Sequence, residues 1–228
     1  NPTVTVSLLK EMEFKEGVTL AKAHAYFLSS RAIAWKTMGE AAEFSYFLYH
    51  DPEGAIVAQD GAIQGGQPIA LGYAGPLAGD AKLAAAFPYL GKYVKLALPD
   101  LAGQLPELLR EQLVLVVKSA DGSVRAATSL QTFGVIDELA AYSGDDLGVT
   151  FDGSGVPTVK LWAPTARAVK LLIYDAATVA VPAQTVDLSR GDKGVWSVKG
   201  APTWKNKFYL YEVEVFARVG LQGVPDRC

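Results

Sequence analysis

The sequence predicts a mainly β protein, two antiparallel β-sandwich domains in tandem with a few short helices in the first. Three observations carry this. Apolar and aromatic residues alternate over short runs, turn residues recur between the runs, and 228 residues are enough for two ordinary domains. Ser143-Gly144-Asp145-Asp146 reads as a linker, which places a first domain at 1–143 and a second, immunoglobulin-like one at 144–228.

In the first domain, Ala23 to Trp35 (AHAYFLSSRAIAW) reads as a strand, a polar turn at Ser29-Ser30 and a second apolar piece. Phe44 to His50 (FSYFLYH) is dense in strand-favouring aromatics, and Asp51-Pro52-Glu53-Gly54 closes it as a hairpin. Gly61 to Gly79, rich in Gly and Pro, reads as a long irregular connection, and Asp80 to Phe87 as a short helix before Pro88. Lys92 to Leu98 alternates again, and Pro106 to Gln112 reads as the other helix. Leu113 to Lys118 (LVLVVK) has the unbroken β-branched content of a buried strand, and Asp121-Gly122 makes the hairpin turn after it. From Gln131 to Tyr142 the pattern weakens.

The second domain has short strands at Gly148 to Phe151, Thr158 to Ala163, Ala168 to Tyr174, Thr185 to Leu188, Gly194 to Val198 and Phe208 to Phe216. In the last of these, Tyr209, Tyr211, Val213 and Val215 share one apolar face, which is expected to meet the opposite sheet. Glu212 and Glu214 place water on the other face.

Half of the residues are apolar, a fifth are charged and the net charge is −3, the balance of a soluble globular protein. No Lys/Arg cluster supports nucleic acid as a partner, and no apolar run approaches a membrane span. The single cysteine, Cys228, allows no internal disulfide and fits a reducing compartment. No leader is visible at Asn1, and the missing initiator methionine suggests a processed or excised chain.

Chemistry is sparse. Gly61-Ala-Ile-Gln-Gly-Gly lacks the lysine and helix of a phosphate loop, and Gly153-Ser-Gly155 is a turn rather than a nucleophile elbow. His24 and His50 fit no ligand spacing, so neither a metal nor a cofactor is expected. Asp145-Asp146 and Glu212/Glu214 are the paired carboxylates that glycoside hydrolysis would need, but a solvated linker and an exposed strand face assign both pairs to the surface. No catalytic residue is therefore expected. Of the tryptophans, Trp162 and Trp196 sit inside strands and read as core. Trp204, beside Lys205 and Asn206 in a polar loop, is the sugar-platform candidate, with a lid folded back on the core as the competing reading.

Leu161-Trp-Ala-Pro-Thr-Ala166, Val169-Lys-Leu, Tyr174-Asp175, Gly194-Val-Trp-Ser-Val198 and Lys207-Phe-Tyr-Leu-Tyr-Glu-Val213 closely resemble the family-48 carbohydrate-binding module that precedes the barrel in pullulanase-type starch debranching enzymes. Ala25-Tyr-Phe, Ile33-Ala-Trp35, Phe44-Ser-Tyr-Phe-Leu, Phe87-Pro-Tyr, Gly134-Val-Ile-Asp-Glu-Leu139 and Tyr142-Ser-Gly144 resemble their upstream β domain in its plant limit-dextrinase form. The resemblance implies an α-1,6-glucan hydrolase acting on branched dextrins in a plastid. Its catalytic acids belong to a (β/α)₈ barrel of about 250 residues, for which this chain has no room, so it is expected to hydrolyse nothing by itself.

Two departures qualify the resemblance. Gly220 to Cys228 (GLQGVPDRC) does not match the segment leading to the barrel and suggests a truncated, alternatively spliced or mispredicted end. Glycogen-binding members carry a tryptophan after the early strands and another near the end, with a lysine between them. Asp175 to Pro182 and Arg218 to Gln222 contain no tryptophan, and Trp204 matches neither position. A role in packing against the barrel is then the stronger expectation for the module, with α-glucan a candidate partner. The alternatives are a free-standing α-glucan-binding protein and an interaction module for other starch enzymes.

Overall fold

The computed structural model describes residues 18–36, 41–59 and 61–216, so the expectations placed on Asn1 and on Gly220 to Cys228 lie outside the described residues. The described residues fall into two compact units, one up to Leu139 and one from Ala140 onward. Both are built mainly of strands, with three short α-helices, α1 (Ala81–Ala86), α2 (Leu105–Leu108) and α3 (Phe133–Ala140).

The first unit contains β1 (Val18–Ser29), β2 (Ala32–Trp35), β3 (Ser45–Asp51), β4 (Val57–Gln59), β5 (Ala62–Gln64), β6 (Gln67–Pro76), β7 (Val94–Ala97), β8 (Gln112–Lys118) and β9 (Val124–Gln131). Seven of these close into a barrel in the order β1-β2-β7-β6-β3-β8-β9, and β4 and β5 form a separate ribbon. Here the architecture departs from the expected antiparallel sandwich. β1 pairs antiparallel with β2 along one edge and parallel with β9 along the other, and irregularities in its register let one long strand serve both neighbours. A parallel closure joins the first strand to the last, so no local turn announces it.

The barrel interior is filled by Phe27, Ile33, Leu48, Leu96 and Leu115, one from each of five of its seven strands and all fully buried. Leu113 to Val117 of β8 are buried on both faces, as their composition predicts: Val114 and Val116 pack outward under Ile56 and Tyr49, while Leu113, Leu115 and Val117 point inward. The β8–β9 turn is held by Asp121, whose Oδ1 accepts from Ser123 N at 2.9 Å and Ser123 Oγ at 2.6 Å, with Gly122 at φ 84°.

Two further expectations for this unit are corrected. Gly61 to Gly79 is not irregular, because β6 ladders with β3 and β7. Its Pro68 and Pro76 sit at the two ends of the ladder and Gly75, at φ 83°, where the register shifts, so the residues that read as loop mark ends and a bulge. The weak stretch after Gln131 is α3, which buries Val135 against the barrel. Its Gly134 obscures the helical signal because it serves packing, as a Cβ there would stand 2.7 Å from the carbonyl oxygen of Phe27.

The second unit contains β10 (Gly148–Phe151), β11 (Pro157–Trp162), β12 (Ala166–Tyr174), β13 (Gln184–Asp187), β14 (Ser189–Arg190), β15 (Val195–Lys199) and β16 (Phe208–Val215). They form two antiparallel sheets, β10-β11-β15-β14 and β13-β12-β16. Val159, Val169, Leu171, Ile173 and Trp196 fill the space between them. This is the expected sandwich, with the predicted strands in the predicted order. Trp162 is a correction. It is 37% exposed, because its indole turns toward the preceding segment and donates to the Ala140 carbonyl at 2.8 Å instead of entering the core.

Candidate binding site at one end of the second unit

The segment before β16 builds the site. Pro202–Trp204 forms a single 3-10 turn, closed by Lys205 N donating to the Pro202 carbonyl and Lys207 N to that of Trp204. Asn206 then takes φ 64°, a left-handed conformation that Asn tolerates better than most residues, and the chain enters β16. Gly200 leaves room for Trp204, since a Cβ at that position would overlap the indole ring. Trp204 is half-buried, packs on the sandwich core and donates its Nε1–H to Gln184 Oε1 at 3.0 Å. Trp204 thus covers the core at this end of the sandwich and lines a pocket there.

That pocket has a volume of about 230 Å³, with Leu171 and Ile173 in its floor and Trp204, Asn206, Phe208 and Tyr209 in its walls. Lys205 is exposed and lies outside the lining. A second, shallower depression of about 690 Å³ runs along the loop after β12, between Ala176, Val179 and Ala180 on one side and Lys207, Phe208 and Tyr209 on the other. Lys207 Nζ reaches Asp175 Oδ1 at 2.6 Å and ties that loop to the start of β16.

Phe208 and Tyr209 are therefore the residues that sequence reasoning missed, and they are 52% and 41% exposed. Alternation placed Tyr209 on the inward face together with Tyr211. Its ring does lie edge-on to Tyr211 at 5.5 Å, yet at the end of the strand there is too little opposing sheet to cover it. Tyr211, deeper in, is pushed up above the usual phenol range, first by burial and then by Tyr209.

Most of the other candidates have structural partners. Glu212 and Glu214 face Lys170 at 3.5 Å and Arg167 at 3.6 Å across the β12–β16 pair. Asp146 is not the freely solvated linker acid that the sequence suggests. It accepts from Lys160 Nζ and from the Tyr142 hydroxyl, and the lysine bond, then the tyrosine bond, hold its carboxyl below the usual carboxylate range. Ser154 lies in a turn whose Asp152 accepts from the backbone N–H groups of Ser154 and Val156. His50 Nδ1 lies 2.8 Å from Glu111, and His24 is exposed on β1. Among the described residues no three His, Cys, Asp or Glu side chains gather in a metal-binding group.

With the geometry in place, comparison with known proteins locates the chain. The Pullulanase N2 domain family matches residues 22–138, just over half of the sequence, and Carbohydrate-binding module 48 (Isoamylase N-terminal domain) matches 146–225. Pullulanase 1, chloroplastic, from Arabidopsis thaliana is 34% identical over 200 residues, which are 86% of this chain and 20% of that protein. The pullulanase of Klebsiella pneumoniae is 33% identical over 132 residues, 57% of this chain and 12% of that protein. The crystal structure of apo Klebsiella pneumoniae pullulanase superposes with a TM-score of 0.73 at 27% identity, covering 87% of this chain and 21% of that one. The enzyme complexed with maltotriose gives the same TM-score and identity over 86% of this chain and 18% of that one. The chain thus spans about a fifth or less of the length of these relatives. It belongs to the Pullulanase N2 domain family and, with the module-48 match that follows, carries the domain pair of the N-terminal region of a pullulanase-type enzyme.

Proposed function

We propose that this chain is the non-catalytic N-terminal portion of a plastid starch debranching enzyme of the limit-dextrinase or pullulanase type, which positions or stabilises the catalytic barrel that hydrolyses α-1,6 branch linkages. One observation carries the non-catalytic reading. A glycosidase acid must keep a carboxyl protonated near neutral pH, by burial or by a neighbouring carboxylate. Asp146, Glu212 and Glu214 of the candidate pairs instead each face a cation, Lys160, Lys170 and Arg167 respectively, an arrangement that favours the ionised carboxylate. The plastid location is supported by the chloroplastic relative from Arabidopsis thaliana.

A second reading, α-glucan contact, is favoured by the exposed rings of Phe208 and Tyr209 beside the depression along the loop after β12. Sugar rings stack their C–H faces on such side chains. The same contact would serve a free-standing α-glucan-binding protein.

The test incubates the isolated chain with pullulan and measures reducing ends, then measures retention on starch for the wild type, Trp204→Ala and Tyr209→Ala. No release of reducing ends is expected, and debranching above the buffer control would overturn the non-catalytic reading. Weak retention that falls in Tyr209→Ala supports glucan contact. Equal and negligible retention of all three proteins removes it and leaves the barrel-positioning role.

A further inference from the structure

We infer that the pocket of about 230 Å³ beneath Trp204 binds the alkyl chain of a medium-chain carboxylate rather than a sugar, a ligand distinct from the glucan considered above. Its floor and inner wall are Val149, Pro157, Val159, Leu171 and Ile173, which offer carbon and no polar side-chain atom. A glucose unit pressed against that floor would turn hydroxyls toward carbon, where they find no partners.

Two polar groups of the wall are committed, while the Asn206 amide and the Tyr209 hydroxyl also belong to its lining. The Trp204 indole N–H is held by Gln184 and the Lys207 ammonium by Asp175. Trp204 therefore presents an apolar ring to the pocket, with no donor left for a sugar hydroxyl. For scale, an aliphatic cavity of about 150 Å³ inside a protein stays dry and accepts benzene.

The opening lies where the two sheets end. β10 and β16 are both edge strands there, and Phe151 and Phe208 around the opening are 57% and 52% exposed. Large exposed apolar groups in one place mark a binding surface more often than chance. The wet end of the guest meets cations, because Lys207 lines the pocket and Lys205 stands exposed in the adjoining turn. Asp175 is the competing anion, and its exposed pairing with Lys207 is of the weak, exchangeable kind. An acyl chain ending in a carboxylate satisfies both ends of this site.

Isothermal titration with octanoate, below its micelle concentration, tests the assignment. One-to-one saturable binding is expected. Val149→Trp, which fills the pocket from a half-buried edge-strand position, should weaken it at least tenfold while leaving starch retention unchanged. Lys207→Gln should weaken octanoate several-fold and leave 1-octanol unaffected, which keeps the test valid if the bulkier variant does not fold. Absence of saturable binding, unchanged affinity in folded Val149→Trp, or equal loss of octanol and octanoate in Lys207→Gln overturns the inference. A parallel fall of starch retention in folded Val149→Trp returns the pocket to glucan and overturns it equally.

Discussion

The two units treat their strand edges differently. In the barrel every strand has a neighbour on each side, and β8 is buried on both faces along five consecutive residues. In the sandwich β16 has one neighbour, β12. Its inward side chains Tyr211, Val213 and Val215 are only half-buried, whereas Val169, Leu171 and Ile173 of β12 are buried. Closure removes edges and concentrates stability, and an open edge leaves apolar surface accessible. The candidate site lies on the open side, where a ligand can reach core residues without the fold having to part.

The sharpest way to break this contrast is to truncate one side chain from each unit. Leu115→Ala leaves a void in the closed barrel and should cost about 2–5 kcal/mol. Val213→Ala on the open edge should cost about 1 kcal/mol, because its side chain is already part-solvated and the site can relax. Urea denaturation of both variants checks this. Equal costs would mean that the edge of β16 is covered in solution.

A smaller effect sharpens the barrel half of the comparison. Gly134→Ala would normally favour a helix by roughly 1 kcal/mol. Here the added Cβ meets the backbone carbonyls of Phe27 and Leu28 at 2.7 and 2.9 Å, groups that cannot swing aside as a side chain could. The expected net loss is about 1–3 kcal/mol, read from the same denaturation curves. A stabilised variant would show that α3 is free to move outward from β1.

Much of the fold is legible in the sequence, and the lapses have causes. Alternation and turn residues place all six predicted strands of the sandwich, because each pairs with a neighbour through antiparallel ladders along its own length. The barrel's closing pair, β1 with β9, joins strands about a hundred residues apart and leaves no local trace. The Gly and Pro residues of β6 imitate a loop because they occupy ladder ends and a bulge. At the candidate site, Trp204 and Asn206 could be picked out as exposed-loop chemistry. Phe208 and Tyr209 could not, since a two-residue period says which face a side chain takes but not where the opposing sheet stops.

The segment that opens the second unit offers the finest comparison. Ala140 and Asp146 are bound to Trp162 and Lys160, two residues apart and so on one face of β11, which fixes this stretch to the second unit in place of a free linker. The first unit has a related lysine–carboxylate pair, Asp80 with Lys95 at 2.8 Å, at the start of α1. In both, the lysine bond is the largest cause holding the carboxyl below its usual range. A depressed carboxylate stabilises the folded state fully above its unfolded pKa, about 3.9, and that contribution is lost as pH falls through the lower folded value. Lys160 is shifted upward by the same bond, so its share persists until pH rises above the ordinary lysine range. The melting-temperature difference between wild type and Asp146→Asn should therefore stay level from about pH 5 to 9 and shrink below about pH 4. Asp80→Asn should show the same acid limb. A difference for Asp146→Asn that does not change on acidification would mean that Lys160 does not hold Asp146 in solution, and the segment would then behave as the flexible linker its composition suggests.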